Sequence, residues 1–152
     1  MKINLNGKNA LVGGSSKGIG LAIVKRLAKS GANVTLMARS EALLNEIVVS
    51  LPTNKGQIHG YLVVDFSDFN AFKIQMNTFF ADNFIDILIN NTQGPSAGSA
   101  IEKGVDDYQT AFDLLFKCAV YTTSLALPYM QKKRWGRIIN VSSISVREPL
   151  NY

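Results

Sequence analysis

At 152 residues, with 47% hydrophobic and 18% charged side chains, the chain is large enough for one domain with a buried core and too apolar for a disordered polypeptide. The 16 basic and 11 acidic residues leave a net charge of +5, but the densest basic cluster, Lys132-Lys133-Arg134, falls at an expected helix end, where cations complement the dipole; no nucleic-acid partner is expected. No apolar run is long enough for a membrane span, Met1-Lys2-Ile3-Asn4-Leu5 lacks a signal-peptide core, and the single Cys118 can form no internal disulfide, so no membrane partner and a cytoplasmic location are expected.

The first strand is expected over Asn9 to Val12 and feeds the run Gly13-Gly14-Ser15-Ser16-Lys17-Gly18-Ile19-Gly20. A helix follows from about Gly18 to Ser30, with Ile19, Ala22, Ile23 and Leu27 on its apolar face and Gly31 at its stop. Strand two covers Asn33 to Ala38, and a second helix starts near Ser40, an N-cap candidate, and ends before Pro52. Strand three is placed at about Gln57 to Val64, and Asp68 caps a third helix to about Asp82. Strand four is Ile85 to Asn90, followed by a Gly-, Pro- and Ser-rich loop from Thr92 to Ser99. A long helix spans about Val105 to Lys132, with a bend or break expected at Pro128, and strand five is Arg137 to Val141. Apolar strands alternating with amphipathic helices predict a parallel sheet covered on both faces: a doubly wound α/β, Rossmann-like domain in strand order 3-2-1-4-5. With strand five left as an apolar edge, residues 1–152 are expected to be one domain cut after that strand, the N-terminal portion of a longer chain.

A glycine-rich turn between a strand and a helix lets a diphosphate approach the main chain, and the helix start turns N–H groups and the positive end of its dipole toward the anion. Gly14, Ser16, Lys17, Gly18, Ile19 and Gly20 are therefore the candidate diphosphate site. The spacing is Gly-x-x-x-Gly-x-Gly, and Ile19-Gly20 follows Gly18 where a P-loop needs Lys-Ser/Thr. Ligands on such sheets sit outside the carboxyl ends of the strands, which also brings Arg39, Asp65 and Asn91 to the site. Strand two ends Met37-Ala38-Arg39-Ser40, without the carboxylate that would bind ribose hydroxyls and repel a 2′-phosphate; Arg39, aided by Lys17, favours NADP(H) over NAD(H). Asp65 either accepts from an adenine amino group or serves as a turn residue. Asn90-Asn91 can hold the strand-four turn and line the cofactor.

These segments resemble the short-chain dehydrogenase/reductase family, in order and spacing. Gly14-x-x-x-Gly18-Ile19-Gly20 is similar to its cofactor turn, with Gly13 where threonine is usual; Asp65 matches the adenine-site aspartate; Asn90-Asn91-Thr92-Gln93-Gly94 is a variant of Asn-Asn-Ala-Gly. Leu127-Pro128-Tyr129-Met130 and Gly136-Arg137-Ile138-Ile139-Asn140-Val141-Ser142-Ser143 resemble the helix-to-strand-five signature. The resemblance implies an NADP-dependent carbonyl reductase or alcohol dehydrogenase, 3-oxoacyl-carrier-protein reductases and polyol dehydrogenases among the possibilities. Its substrate is then a small-molecule ketone or alcohol, and it assembles as a homodimer or homotetramer. Ser143 matches the catalytic serine, and Ser142 is structural. Three departures mark an atypical branch: Leu115 stands where a helix asparagine is expected, Ser145 to Leu150 is unusual, and Tyr152 is too close to Ser143 to be the general acid, with no lysine after it. They keep open a different class, a catalytically silent dinucleotide-binding sensor or assembly protein. The 152 residues alone are expected to be inactive. His59 and Cys118 lack partners for a metal role, and Cys118 reads as a small core residue.

Overall fold

The alternation of apolar strands and amphipathic helices closes into a five-stranded sheet, parallel throughout, in the order β3-β2-β1-β4-β5. The strands are β1 Asn9–Val12, β2 Asn33–Ala38, β3 Gly60–Val63, β4 Ile87–Asn90 and β5 Arg137–Asn140. The computed structural model describes residues 3–144 and 147–148; Tyr152 and most of the unusual segment after Ile144 lie outside the described residues. Helices α1 Gly18–Lys29, α2 Glu41–Ser50 and α3 Phe69–Asp82 link the first four strands, and α4 Val105–Ala111, a π-helical turn Phe112–Lys117 and α5 Cys118–Lys133 lead into β5.

Every second residue of β1 points to the same face, so a strand buried on both sides must be apolar throughout. Ala10 and Val12 pack with Val24, Ala28 and Leu44 on one side; Leu11 packs with Phe72, Met76 and Ala126 on the other. Each large side chain so buried contributes about 1.5–3 kcal/mol of transfer free energy, which is why the glycine turn that follows β1 is carried on a rigid base. Among the described residues no helix is long and apolar enough to cross a membrane.

Four elements differ from the sequence expectation. Strand three begins at Gly60 rather than Gln57, because side chains take over the ladder's hydrogen bonds. The Val34 N–H donates to His59 Nδ1 at 3.2 Å, the Ile58 N–H to Asn33 Oδ1 at 2.9 Å, and buried Gln57 donates to the Ala28 carbonyl at 2.9 Å. Strand four starts at Ile87; Asp86 still bonds Asn9 in both directions, by its main-chain N–H at 2.8 Å and by its carboxylate at 2.9 Å. The long helix is not uniform: a π-helical turn interrupts it at Phe112–Lys117, whereas Pro128 does not end it, and left-handed Arg134 (φ 51°) does. On α1 the buried stripe is Gly20, Val24 and Ala28, with Ile23 and Leu27 half-buried, and Ile19 is 62% exposed. Ser40 occupies the N-cap of α2 without a side-chain cap bond, whereas Asp68 caps α3 by accepting from the Ala71 N–H at 3.0 Å.

Candidate active site

The ends of β1, β2, β3 and β4 open on one cavity of about 390 Å³. Gly14, Arg39, Asp65 and Asn91, one from beyond each strand, share its lining. Ser16, Lys17, Ile19 and Gly20 come to the same wall from the turn. Gly18 does not line it; its φ of +56° lets the chain swing from the turn into α1, and a Cβ there would meet nothing within 4 Å. Ile19 is exposed because it faces this opening rather than the core, which corrects its expected place on the buried stripe.

The turn is held from three directions. The Gly13 N–H donates to the Ile89 carbonyl at 3.0 Å. Ser15, fully buried, accepts from the Met37 N–H at 2.9 Å and donates back to the Met37 carbonyl at 3.2 Å, closing the turn onto β2. Asn91 Nδ2 donates to the carbonyls of Gly13 and Gly14 at 2.9 and 3.3 Å. A Cβ on Gly20 would run into the Gly14 carbonyl oxygen, and one on Gly14 would lie 2.8 Å from Asn91 Nδ2, so Gly20 is required by space and Gly14, at φ +54°, by space and conformation together. The N-cap of α1, Lys17, is extended and makes no side-chain cap bond, and no acidic residue sits in the first turn. A 12-residue helix therefore directs its amino-terminal dipole at the cavity without a built-in anion, and the N–H donors of that helix start fit a dinucleotide diphosphate.

Asn90 and Asn91, read together in the sequence, part company in space. Asn90 Nδ2 bonds Thr123 Oγ1 at 3.1 Å and Asn140 Oδ1 at 2.8 Å, tying β4 to α5 and β5, and only Asn91 lines the cavity. Asp65 serves the turn and also lines the cavity: its Oδ1 accepts from the Ser67 hydroxyl at 2.7 Å and from the Ser67 N–H at 2.9 Å. The Ser67 bonds, with Arg39 a smaller contributor, hold its carboxyl below the usual carboxylate range, so an anion stands at this wall. Arg39 reaches Gln93 Oε1 at 2.9 Å across the mouth.

Ser143 lies just past β5, where the Val141 N–H still donates to the Asn90 carbonyl at 2.9 Å; it is exposed and does not line this cavity. Leu115 is 41% exposed and does not line it either, whereas its neighbour Leu114 is buried and does. The π-helical turn, wider by one residue than an α-turn, sets which of these successive leucines faces inward, and no periodicity in the sequence signals it. Ser15 lies within the glycine-rich turn and Gln93 within the Asn90–Gly94 segment, but the sequence assigns neither a role of its own. Nothing in Gly14-Ser15-Ser16 sets Ser15 apart from its neighbouring serine, and Gln93 acquires a role only through an arginine 54 positions away.

Burial pushes the Cys118 thiol up to about 11, and its Sγ donates weakly to the Phe66 carbonyl at 3.4 Å; it is a core residue. Among the described residues no three His, Cys, Asp or Glu side chains cluster to hold a metal. A larger cavity of about 600 Å³ lies beside the amino end of β4, lined by the end of α3, the segment after it and the last turns of α5. Its lining has no glycine turn and no helix amino terminus to hold an anion.

A sheet of this order with a glycine-rich turn at its switch point defines a Rossmann-like nucleotide-binding fold. The short chain dehydrogenase family model matches residues 8–151, and the chain belongs to that family. It is 37% identical to the fatty acyl-CoA reductase of Acinetobacter baylyi, over 94% of this chain and 49% of that protein. L-Sorbose reductase from Gluconobacter frateurii, solved with NADPH and L-sorbose, superposes with a TM-score of 0.89 at 32% identity, over 100% of this chain and 58% of that one. A 3-oxoacyl-(acyl-carrier-protein) reductase from Agrobacterium tumefaciens with NADP bound gives a TM-score of 0.82 at 28% identity, over 97% and 57%. The chain thus spans about half the length of the curated relatives it matches.

Proposed function

We propose that the protein is an NADP(H)-dependent oxidoreductase that transfers hydride between the nicotinamide and a ketone or alcohol. The carrying observation is the combination of an uncapped α1 amino terminus behind the Gly14–Gly20 turn with a guanidinium, and no carboxylate, at the end of β2. In this reading Gly14, Ser16, Lys17, Gly18, Ile19 and Gly20 hold the diphosphate, Arg39 and Lys17 the 2′-phosphate, Asp65 the adenine and Asn91 the turn that faces them. NADPH, when bound, supplies the hydride. Ser143 donates a hydrogen bond to the substrate oxygen as negative charge develops on it, which lowers the barrier only if the donor is already in place. Residues 1–152 act as one dinucleotide-binding domain. The NADPH-bound and NADP-bound neighbours support the cofactor assignment. The names of the relatives range from acyl-CoA to sugar reductases, so the substrate is proposed no more narrowly than a small carbonyl or alcohol compound.

Calorimetric titration of the intact protein with NADPH and NADH is the test; tighter NADH binding overturns the cofactor assignment. The second reading, a dinucleotide-binding sensor without turnover, is favoured by the apolar pair Leu114 and Leu115: Leu115 stands outside the cavity, Leu114 lines it, and neither side chain can relay a proton. NADPH oxidation across a panel of ketones and aldehydes separates the two. We further propose a homodimer or homotetramer, located in the cytoplasm. Tyr108, Phe112, Phe116 and Val120 are each at least half exposed along α4, the π-turn and α5, an apolar strip suited to another subunit. A monomer in sedimentation of the intact protein would count against it.

A further inference from the structure

Arg39 follows β2 and Gln93 follows β4, and β1 lies between those strands. Their 2.9 Å bond therefore bridges two inter-strand spacings, about 10 Å of backbone separation, directly across the mouth of the cleft. We infer that Gln93 is a positioning residue for nucleotide discrimination: it orders the Arg39 guanidinium over the ribose end of the cleft, so that the fork is already placed when a 2′-phosphate arrives. This rests on the NADP(H) reading of the cleft.

The chemistry of the acceptor carries the inference. A guanidinium offers five donors; a single bond to a neutral amide oxygen fixes its direction, leaves four donors for an incoming anion and, unlike the through-space pull of Asp65, offsets none of its charge. A carboxylate in that place would engage the fork in two bonds and cancel the charge. The nearby carboxylate, Asp65, is engaged by Ser67 through both its N–H and its hydroxyl, and among the described residues the ion pairs are Lys8–Asp86, Lys103–Asp107 and Lys117–Asp113, none of which takes Arg39. An exposed arginine otherwise loses rotamer freedom on binding, and a partner that orders it beforehand reduces that loss.

The test is the Kd of the intact protein for NADPH and for NADH, with Gln93→Ala, Gln93→Glu, Arg39→Ala and the Gln93→Ala/Arg39→Ala pair. The NADPH-over-NADH preference should fall about three- to tenfold in Gln93→Ala, the range expected for ordering one long side chain. It should fall further in Gln93→Glu, where the new carboxylate pairs the guanidinium and repels the phosphate. In the Arg39→Ala background, Gln93→Ala should change the preference no further. If both Gln93 variants keep the wild-type preference while Arg39→Ala loses it, the cofactor reading stands and the positioning role is refuted. A rise in preference for Gln93→Ala, or an effect that persists without Arg39, also refutes it. If Arg39→Ala keeps the preference, Arg39 does not read the 2′-phosphate and the positioning role is refuted with it; if the wild-type protein binds NADH more tightly than NADPH, the NADP(H) reading itself fails.

Discussion

Replacing Gly20 by alanine tests whether the turn before α1 is a built anion site or a tight corner that binds nothing. Gly20 has ordinary helical backbone, so alanine by itself would favour the helix by about 1 kcal/mol. Against this, the new methyl would overlap the Gly14 carbonyl oxygen, with the Gly14 carbonyl carbon at 2.8 Å and Asn91 Nδ2 at 3.0 Å. Two of these atoms are backbone and cannot rotate away. The turn has to retreat by about an ångström to restore contact distances, at a cost of about 1–3 kcal/mol as for other overpacked positions. Retreat breaks the Asn91 clamp on Gly13 and Gly14 and misaligns the donors of the α1 start. An error of that size costs about a hundredfold where geometry matters. Calorimetry with NADPH on the intact protein should show affinity reduced by about 10- to 100-fold, and urea denaturation should show a net loss of about 0–2 kcal/mol once the helix gain is subtracted. Wild-type NADPH affinity in Gly20→Ala would refute the claim that the diphosphate lies against this turn.

Ser15→Ala leaves the buried Met37 N–H without its 2.9 Å acceptor and should cost about 1–3 kcal/mol in urea unfolding. Ser143→Ala should lower kcat on a carbonyl substrate by about 100- to 1000-fold, the effect of removing one aligned donor to a developing oxyanion, with NADPH affinity little changed; equal kcat would remove Ser143 from the chemistry. Asp65 has a carboxyl pKa lowered in the folded protein, chiefly by Ser67. Its contribution to stability is therefore complete above the ordinary carboxylate value of about 3.9 and is lost as pH falls through the lowered folded value. Ser67→Ala should flatten that part of the acid limb in a pH series of melting temperatures, and an unchanged limb would show that Ser67 is not the cause.

Much of the molecule follows from local pattern. The order of elements, the parallel sheet, its 3-2-1-4-5 order and the glycine turn were legible because burial on both faces demands continuous apolar strands, and because crossovers have one favoured hand. Asp68 at the α3 start and the extent of β2 are equally local. What periodicity could not decide is which side chain satisfies a backbone group far along the chain. Strand three starts three residues late because Asn33, Gln57 and His59 replace ladder bonds. Asn90 and Asn91 look alike in sequence, but the alternation of a strand end sends one to α5 and β5 and the other to the turn. The π-helical turn puts Leu114 at the cavity and leaves Leu115 outside it. Ser15 and Met37 are 22 positions apart, and Arg39 and Gln93 are 54 apart. The scaffold and the glycine-rich turn follow from the order of amino acids alone, since both arise from burial and backbone freedom at neighbouring positions. The tertiary structure alone decided the partners of that turn and the direction of Arg39, since those depend on strands brought side by side only when the sheet forms.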